Sequence, residues 1–295
     1  MNCGYVALIG RPNVGKSTLM NHLLKQKISI TSRKPQTTRH RIVGINTTPA
    51  GQAIYLDTPG MHDNQSRALN RHLNRTAETT LLGVDVIVWI IDGFSWHIYD
   101  EVIFKKLEQA GLPVILAVNK VDKVKDKDKD AILSFFDAAQ HRYPFAQLIP
   151  ISALRGINLE KLEELIFELL PENPLIFPED QVTDRPQRFL AAEIVREKLT
   201  RRLGAELPYE LTVEIERYEE LETITKIYAI IWVERDTQKN IVIGKEGEML
   251  KKVGTDARLD IERMIGQKVF IQLWVKVKRG WSDNERALQS LGFND

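Results

Sequence analysis

The sequence predicts an α/β domain, a mostly parallel sheet with helices on both faces, followed by a smaller α+β domain. Three observations predict it. A glycine-bounded loop, Gly10-Arg11-Pro12-Asn13-Val14-Gly15-Lys16-Ser17, stands between an apolar run at 5–9 and helical spacing over 17–24. Short apolar runs then alternate with helix-like segments as far as Leu170, the rhythm of strands joined by covering helices. Beyond a proline-rich stretch, the chain from Phe189 onward reads helix, strand, strand, helix, tight turn, helix, strand.

Length and composition agree with that division. The 295 residues exceed a typical domain of roughly 100–150. A chain with 43% hydrophobic and 27% charged residues is ordinary for a globular protein. Lysine and arginine number 41 against 40 acidic residues, and the stretch 183–295 carries 20 of each sign. Global charge therefore makes no case for a polyanionic partner, and any such claim rests on local arrangement. Cys3 is the only cysteine, which rules out an intrachain disulfide or a cysteine-rich metal site and fits a reducing compartment. No apolar run reaches the ~18 residues of a membrane span, and the start lacks a signal-peptide pattern. A cytosolic protein without a transmembrane segment is expected, and peripheral membrane contact needs none.

In the first loop, backbone N–H groups around the glycines can point inward at a phosphate, while the helix behind presents its positive end to the same anion. Lys16 can bridge the outer phosphates and the Ser17 hydroxyl can hold Mg2+, with Thr18 completing this nucleotide-binding segment. Residues 31–41 follow as a polar, basic loop containing Pro35-Gln36-Thr37-Thr38-Arg39. In nucleotide switches a hydroxyl of such a loop reaches the metal only while a γ-phosphate is present.

Strands are predicted at 42–47 and 53–56, the second running into Asp57-Thr58-Pro59-Gly60. A carboxylate at the end of a sheet strand can hold Mg2+ through water, and Gly60 lets a backbone N–H approach a γ-phosphate. A core strand at 84–91, a helix at 100–110 and a strand at 112–118 come next, leading to Asn119-Lys120-Val121-Asp122. Asp122 can accept two hydrogen bonds from the ring N–H and exocyclic amine of guanine, where adenine presents an acceptor. Sites of that kind reject the wrong ligand by roughly 10⁴ or more. The alternating lysines and aspartates at 123–130 read as a solvated loop or helix start. A strand at 149–151 enters Ser152-Ala153-Leu154, a turn suited to offering a backbone N–H to the guanine carbonyl. Residues 158–170 close the domain as an amphipathic helix, with Asn158 as cap and Leu159, Leu162, Ile166 and Leu169 on one face.

These four motifs, in this order, resemble those of translation-factor-type GTPases, and Arg11-Pro12-Asn13-Val14 with Gln36-Thr37-Thr38-Arg39 resembles the Era family in particular. The resemblance implies a Mg2+-dependent switch that binds GTP and GDP and hydrolyses GTP slowly, with Lys16, Asn13, Thr38 and Gly60 at the reaction centre. It implies Ser17, Thr38 and Asp57 around the metal, with Thr37 as the alternative to Thr38. The position after Gly60, where Ras-like proteins carry a water-orienting glutamine, is Met61, which cannot hold water by hydrogen bonding. Backbone groups, Mg2+ and Lys16 are left to carry the reaction. In related GTPases without that glutamine, a loop asparagine helps bind a monovalent cation, which makes K+ stimulation through Asn13 an expectation.

In the second half, Pro171, Pro174, Pro178 and Pro186 mark an ordered linker. Helical spacing returns at 189–203, where Arg196, Lys198, Arg201 and Arg202 cluster in what reads first as a solvated face. Strands at 211–217 and 224–235 precede Ile241-Val242-Ile243-Gly244-Lys245-Glu246-Gly247. Two glycines around two residues let the backbone bend tightly beside a sugar-phosphate chain, and Lys245 adds positive charge. A helix with Leu250, Lys251 and Val253 is expected next, then a second helix near 255–265 and a final strand. In that strand Val269, Ile271, Leu273, Val275 and Val277 form the core face. Trp274, on the other face, is read as packing beneath the flanking helix, with stacking on a base as the alternative.

This order resembles the type II KH domain. The phrase Gly204-Ala205-Glu206-Leu207-Pro208-Tyr209, the run 274–281 and Glu285-Arg286-Ala287-Leu288 again resemble the Era family. The resemblance implies a P-loop GTPase domain at 1–172, a linker and the start of a connecting helix at 173–200, and a KH domain at 201–295. It sets Ile243, Gly244, Lys245, Glu246, Gly247 and Lys251 against RNA. It further implies a monomeric ribosome-assembly GTPase that binds the 3′ end of small-subunit ribosomal RNA and helps the small ribosomal subunit mature, cytosolic with some peripheral membrane association. The competing class is a GTPase whose second domain docks on a protein or membrane surface. An ATP-using enzyme is disfavoured by Asp122.

Overall fold

The computed structural model describes the chain apart from residues 33, 35, 36, 61–66, 125–128, 205, 206, 294 and 295, and apart from the side chains of 99 and 129–131. It divides into two compact units: Met1–Ser29, Thr38–Asp63 and Leu73–Asp184 in one, Ile30–Thr37, Asn64–His72 and Arg185–Asp295 in the other.

The first unit is built on β1 (Asn2–Ile9), α1 (Lys16–Leu23), β2 (Ile42–Thr48) and β3 (Gly51–Asp57). After α2 (Ala68–Thr79) come β4 (Val86–Asp92), α3 (Ile98–Ala110), β5 (Val114–Asn119), α4 (Lys129–Arg142), β6 (Gln147–Pro150) and α5 (Leu159–Leu169). The sheet order is β2-β3-β1-β4-β5-β6, parallel throughout except for β2 against β3. Only Pro49 and Ala50 separate Thr48 from its partner Gly51, too short a link for the crossover that a parallel pair needs. Parallel strands are covered on both faces and so read as continuous apolar runs; Val6, Ala7, Leu8 and Ile9 are all fully buried. On one face Trp89 meets Phe104 edge to face at 4.6 Å. Leu19 and Met20 of α1 and Leu162 and Ile166 of α5 are buried too. Asn158 occupies the position before α5 but makes no side-chain cap. Its amide donates instead to the Pro150 carbonyl at 2.7 Å, which ties the helix start to β6.

The proline-rich stretch is ordered as a strap. Cys3 N–H donates to the Pro171 carbonyl at 2.9 Å, Gln52 Oε1 accepts from the N–H groups of Ile176 and Phe177, and Ile45 N–H donates to the Val182 carbonyl at 2.8 Å.

The second unit contains α6 (Gln187–Arg202), β7 (Leu211–Glu220), β8 (Ile224–Val233), α7 (Asp236–Ile243), α8 (Glu248–Ile265), β9 (Lys268–Val277) and α9 (Glu285–Ser290). Its sheet runs β7-β8-β9, antiparallel then parallel, and one face packs with α6 and α8 around Val195, Leu199, Ile231, Val253 and Ile261. Three expectations change here. The two helices expected around Gly254 are one, α8, because Gly254 keeps the helical conformation and does not break the run; a Cβ there would stand at ordinary contact distance, 3.5 Å, from Leu273. Trp274 does not pack beneath a helix: it lies on the opposite face of the sheet, 36% exposed. The basic cluster of α6 is only in part the expected solvated face, with Arg201 and Arg202 exposed. Arg196 is buried against Glu193, while Lys198, Arg201 and Arg202 pair with Asp260, Glu197 and Asp256.

Candidate nucleotide site and candidate nucleic-acid interface

β1, β3, β5 and β6 all end at one edge of the parallel sheet, the edge where open α/β sheets bind ligands. The loop after β1 is woven into its neighbours. Gly15 has φ +110°, and a Cβ there would stand 2.3 Å from the Asn119 amide nitrogen; a side chain has neither the conformation nor the room. Lys16 is buried, its Nζ donating to the carbonyls of Gly10 at 2.9 Å and Arg11 at 3.0 Å. Burial lowers its pKa to about 8, against the opposing pull of Asp57. Arg11 points away from this cluster and pairs with the fully buried Asp100 at 3.0 Å.

A cluster of oxygens lies beside Lys16. Ser17 Oγ donates to Asp57 Oδ2 at 2.7 Å and stands 2.9 Å from Thr38 Oγ1. Thr38 Oγ1 is 3.4 Å and Ser29 Oγ 2.8 Å from the same carboxylate oxygen. Thr37 is turned elsewhere, its hydroxyl donating to the Lys34 carbonyl at 2.7 Å, so Thr38 is the threonine brought to Ser17 and Asp57. Burial raises the Asp57 pKa, opposed by the charge of Lys16 and by the hydroxyls of Ser17, Ser29 and Thr38. Its Oδ1 is buried with no hydrogen-bond partner among the described residues. An unpartnered carboxylate oxygen with two converging hydroxyls is an all-oxygen donor set, the kind that hard divalent cations such as Mg2+ prefer. The residues fit that ion. At Gly60 a Cβ would lie 2.7 Å from the Pro12 nitrogen, so the chain closes directly on the first loop. Thr58 serves the scaffold, donating to the Leu8 carbonyl at 3.1 Å, and Pro59 is buried beside it. Met61 lies outside the described residues.

The base-recognition segments interlock. Asn119 is buried and spends its side chain on protein, donating to the Val14 carbonyl at 2.7 Å and accepting from the N–H groups of Lys120 at 2.8 Å and Ala153 at 2.9 Å. Lys120 reaches back to the Asn13 carbonyl at 2.9 Å and pairs with Asp92. Val121 N–H donates to the Ile151 carbonyl. Ser152 Oγ donates to Asp122 Oδ1 at 2.5 Å and accepts from Arg155 N–H, fixing the carboxylate. With the N–H groups of Ser152 and Ala153 engaged, that of Leu154 is the one of the three with no internal acceptor among the described residues. Asn13, at φ +64°, is exposed at the loop tip.

Sequence reasoning missed Ser29, Asp92 and Asp100. Ser29 had one signal, a hydroxyl set between two isoleucines, Ile28 and Ile30.

In the second unit α7 ends at Gly244, whose φ of +76° and hypothetical Cβ, 2.7 Å from Met249 Cβ, exclude a side chain. A single turn over Lys245–Gly247 then enters α8. Lys245, Glu246 and Lys251 are exposed, and Ile243 is half-buried behind them. Beside the turn runs an open groove of about 420 Å³ lined by Gly247, Leu250, Lys251, Arg258, Ile271 and Leu273 among others. Apolar walls with two cations at the rim suit bases and phosphates respectively. Among the described residues no helix is long and apolar enough to cross a membrane.

A family model described as 50S ribosome-binding GTPase matches residues 5–120, and one described as KH domain matches 206–282. The chain is 54% identical to GTPase Era of Marinobacter nauticus over 99% of its own length and 95% of that protein. It is 55% identical to GTPase Era of Pseudomonas savastanoi pv. phaseolicola over 99% and 97%. Two solved structures superpose with TM-scores of 0.95 at 39% identity over 99% of both chains. One is a variant of Aquifex aeolicus Era bound to GDP·AlF4⁻, the other Era in complex with MgGDPNP and nucleotides 1506–1542 of 16S ribosomal RNA. With this similarity running through both units, and with the nucleotide loop and KH turn in their expected places, the chain is a GTP hydrolase and belongs to the GTPase Era family.

Proposed function

We propose that the chain is a GTP-gated RNA-binding protein that binds the 3′ end of small-subunit ribosomal RNA and assists maturation of the small subunit. One observation carries this reading. A single chain holds an oxygen cluster fitted to a divalent cation beside a phosphate loop and, around a separate core, a glycine-flanked turn beside an open groove. An Era relative of the same fold was solved with MgGDPNP and nucleotides 1506–1542 of 16S ribosomal RNA.

On this reading Lys16 and the N–H groups of 13–17 hold the phosphates, Asp122 reads the guanine edge, and Leu154 N–H meets its carbonyl. Ser17 and Thr38 supply hydroxyls and Asp57 a carboxylate to Mg2+, with Gly60 N–H toward the γ-phosphate. Bound there, Mg2+ neutralises charge developing on the phosphate oxygens. Loss of the γ-phosphate releases the 31–41 loop and the segment after Gly60. With methionine at 61 in place of a water-orienting side chain, intrinsic turnover is slow, and K+ bound near Asn13 raises it. The working division is 1–172 for nucleotide, 173–200 as connection and 201–295 for RNA, the connection contributing its strap to the first unit and α6 to the core of the second. The protein acts in the cytoplasm as a monomer with peripheral contact at the inner membrane face; flotation with anionic phospholipid vesicles tests that contact.

The decisive experiment titrates a labelled RNA of nucleotides 1506–1542 against protein loaded with a non-hydrolysable GTP analogue or with GDP. Tighter binding in the analogue state is expected. Equal binding would remove the gate, and no binding in either state would leave the second unit as a docking domain. The double substitution Lys245→Asp and Glu246→Asp is expected to abolish RNA binding while GTP hydrolysis continues.

A further inference from the structure

Strand alternation gives the sheet β7-β8-β9 two faces, and α6 and α8 cover only one of them. Parallel register sets Ile230 beside Trp274 and Trp232 beside Lys276. Tyr228 and Phe270 share that uncovered face with them. Phe270 is 44% and Trp274 36% exposed, unusual for large rings that the adjacent core could have buried. The Tyr228 and Trp274 rings lie 6.0 Å apart with planes within 16°, and Phe270 stands 6.0 Å from Tyr228.

Cations are interleaved with these rings. Lys276 and Lys278 hold their ammonium groups 5.9 and 5.7 Å from the Trp232 ring, and the Arg217 guanidinium lies 5.6 Å from Tyr228. Lys226 and Lys278 have no carboxylate partner among the described residues. The acids of the face are committed: Glu214 accepts from Trp232 Nε1 at 2.7 Å, Glu216 pairs with Lys276 at 3.7 Å, and Glu219, set opposite Lys226, pairs with Arg217.

We propose that this aromatic face is a second binding surface for single-stranded RNA, separate from the groove beside Gly247. Exposed rings offer stacking to any base, and the lysines between them offer phosphate contacts. Gln272, between Phe270 and Trp274, brings an amide that can both donate to and accept from base edges. Ile271 and Leu273 line the groove from the other face of β9, and β9 is the sheet's edge. One RNA strand can therefore leave the groove and cross a single strand edge to reach the rings.

The inference rests on the RNA-binding reading, and its test separates the two. The RNA of nucleotides 1506–1542, 5′-labelled, is titrated against the full chain carrying Tyr228→Ala with Trp274→Ala, Lys245→Asp with Glu246→Asp, or Lys226→Ala with Lys278→Ala. The ring variant is expected to bind roughly tenfold more weakly, within the loss known for one or two stacked bases, and Trp274→Phe to restore most of it. The lysine variant is expected to flatten the salt dependence, log K against log salt, by about 1.4. Affinity and salt slope unchanged in these variants, with binding lost in the groove variant, would overturn the second surface and leave the first reading intact. No RNA binding by the unsubstituted chain would overturn the first reading and this one with it. Unchanged RNA affinity in the ring variant with lost co-sedimentation on small subunits or on anionic vesicles would overturn RNA in favour of protein or lipid.

Discussion

Burial moves Lys16 and Asp57 in opposite directions, lowering the pKa of the lysine and raising that of the carboxylate. A lysine whose folded pKa is about 8 instead of 10.5 binds fewer protons than in the unfolded chain between those values. Its contribution to the stability of the free protein therefore rises with pH across that window. Phosphates beside the ammonium raise the pKa again. Nucleotide binding at about pH 8.5 is then expected to take up a proton and at about pH 7 hardly any, with GDP affinity falling as pH rises through 8. Calorimetry in two buffers of different ionisation enthalpy reads the uptake directly, and equal apparent enthalpies at the higher pH would refute it. Ser29 gives a second test. Its hydroxyl is one of the donors on Asp57 Oδ2, and hydrogen bonds to charged groups are worth ~1.5 kcal/mol or more. Ser29→Ala is expected to raise the Asp57 pKa further and weaken Mg2+ binding roughly tenfold, read from the Mg2+ dependence of GDP release.

At the scale of elements, the turn between α7 and α8 separates two glycines that look alike in sequence. Gly244 and Gly247 both have positive φ, but a Cβ at Gly244 meets Met249 at 2.7 Å whereas one at Gly247 meets nothing. Gly247→Ala is expected to cost about 1 kcal/mol from backbone conformation alone. Gly244→Ala should cost roughly 2–3 kcal/mol, and thermal melts of both variants check the order. The motif residues were legible because phosphate, metal and guanine each require a few neighbouring residues on one tight loop, and such spacing survives in one dimension. Ser29, Asp92 and Asp100 were not, since each meets its partner across 28 or more residues of chain. Trp274 shows another limit: a period of two separates the faces of β9, but a lone strand carries no mark of where the covering helix ends. Of Thr38 and its alternative Thr37, the fold turns the hydroxyl of Thr38 toward Ser17.

At the scale of the molecule, the two units have separate hydrophobic cores, one around Trp89, Phe104 and Ile54, the other around Leu199, Ile231 and Val253. Separate cores permit separate unfolding transitions. A ligand that binds only a folded unit stabilises it by about 2.7 kcal/mol at a hundredfold excess over its dissociation constant. GDP with Mg2+ is therefore expected to move the transition of the first unit upward and leave that of the second in place. The RNA should do the reverse. Gating adds a cross-term: if the GTP analogue tightens RNA binding, RNA must tighten analogue binding by the same factor. Calorimetric scans with analogue alone, RNA alone and both together measure that term as the shift beyond the sum of the two. A zero cross-term, with each ligand still stabilising its own unit, would mean that both sites bind and that neither governs the other.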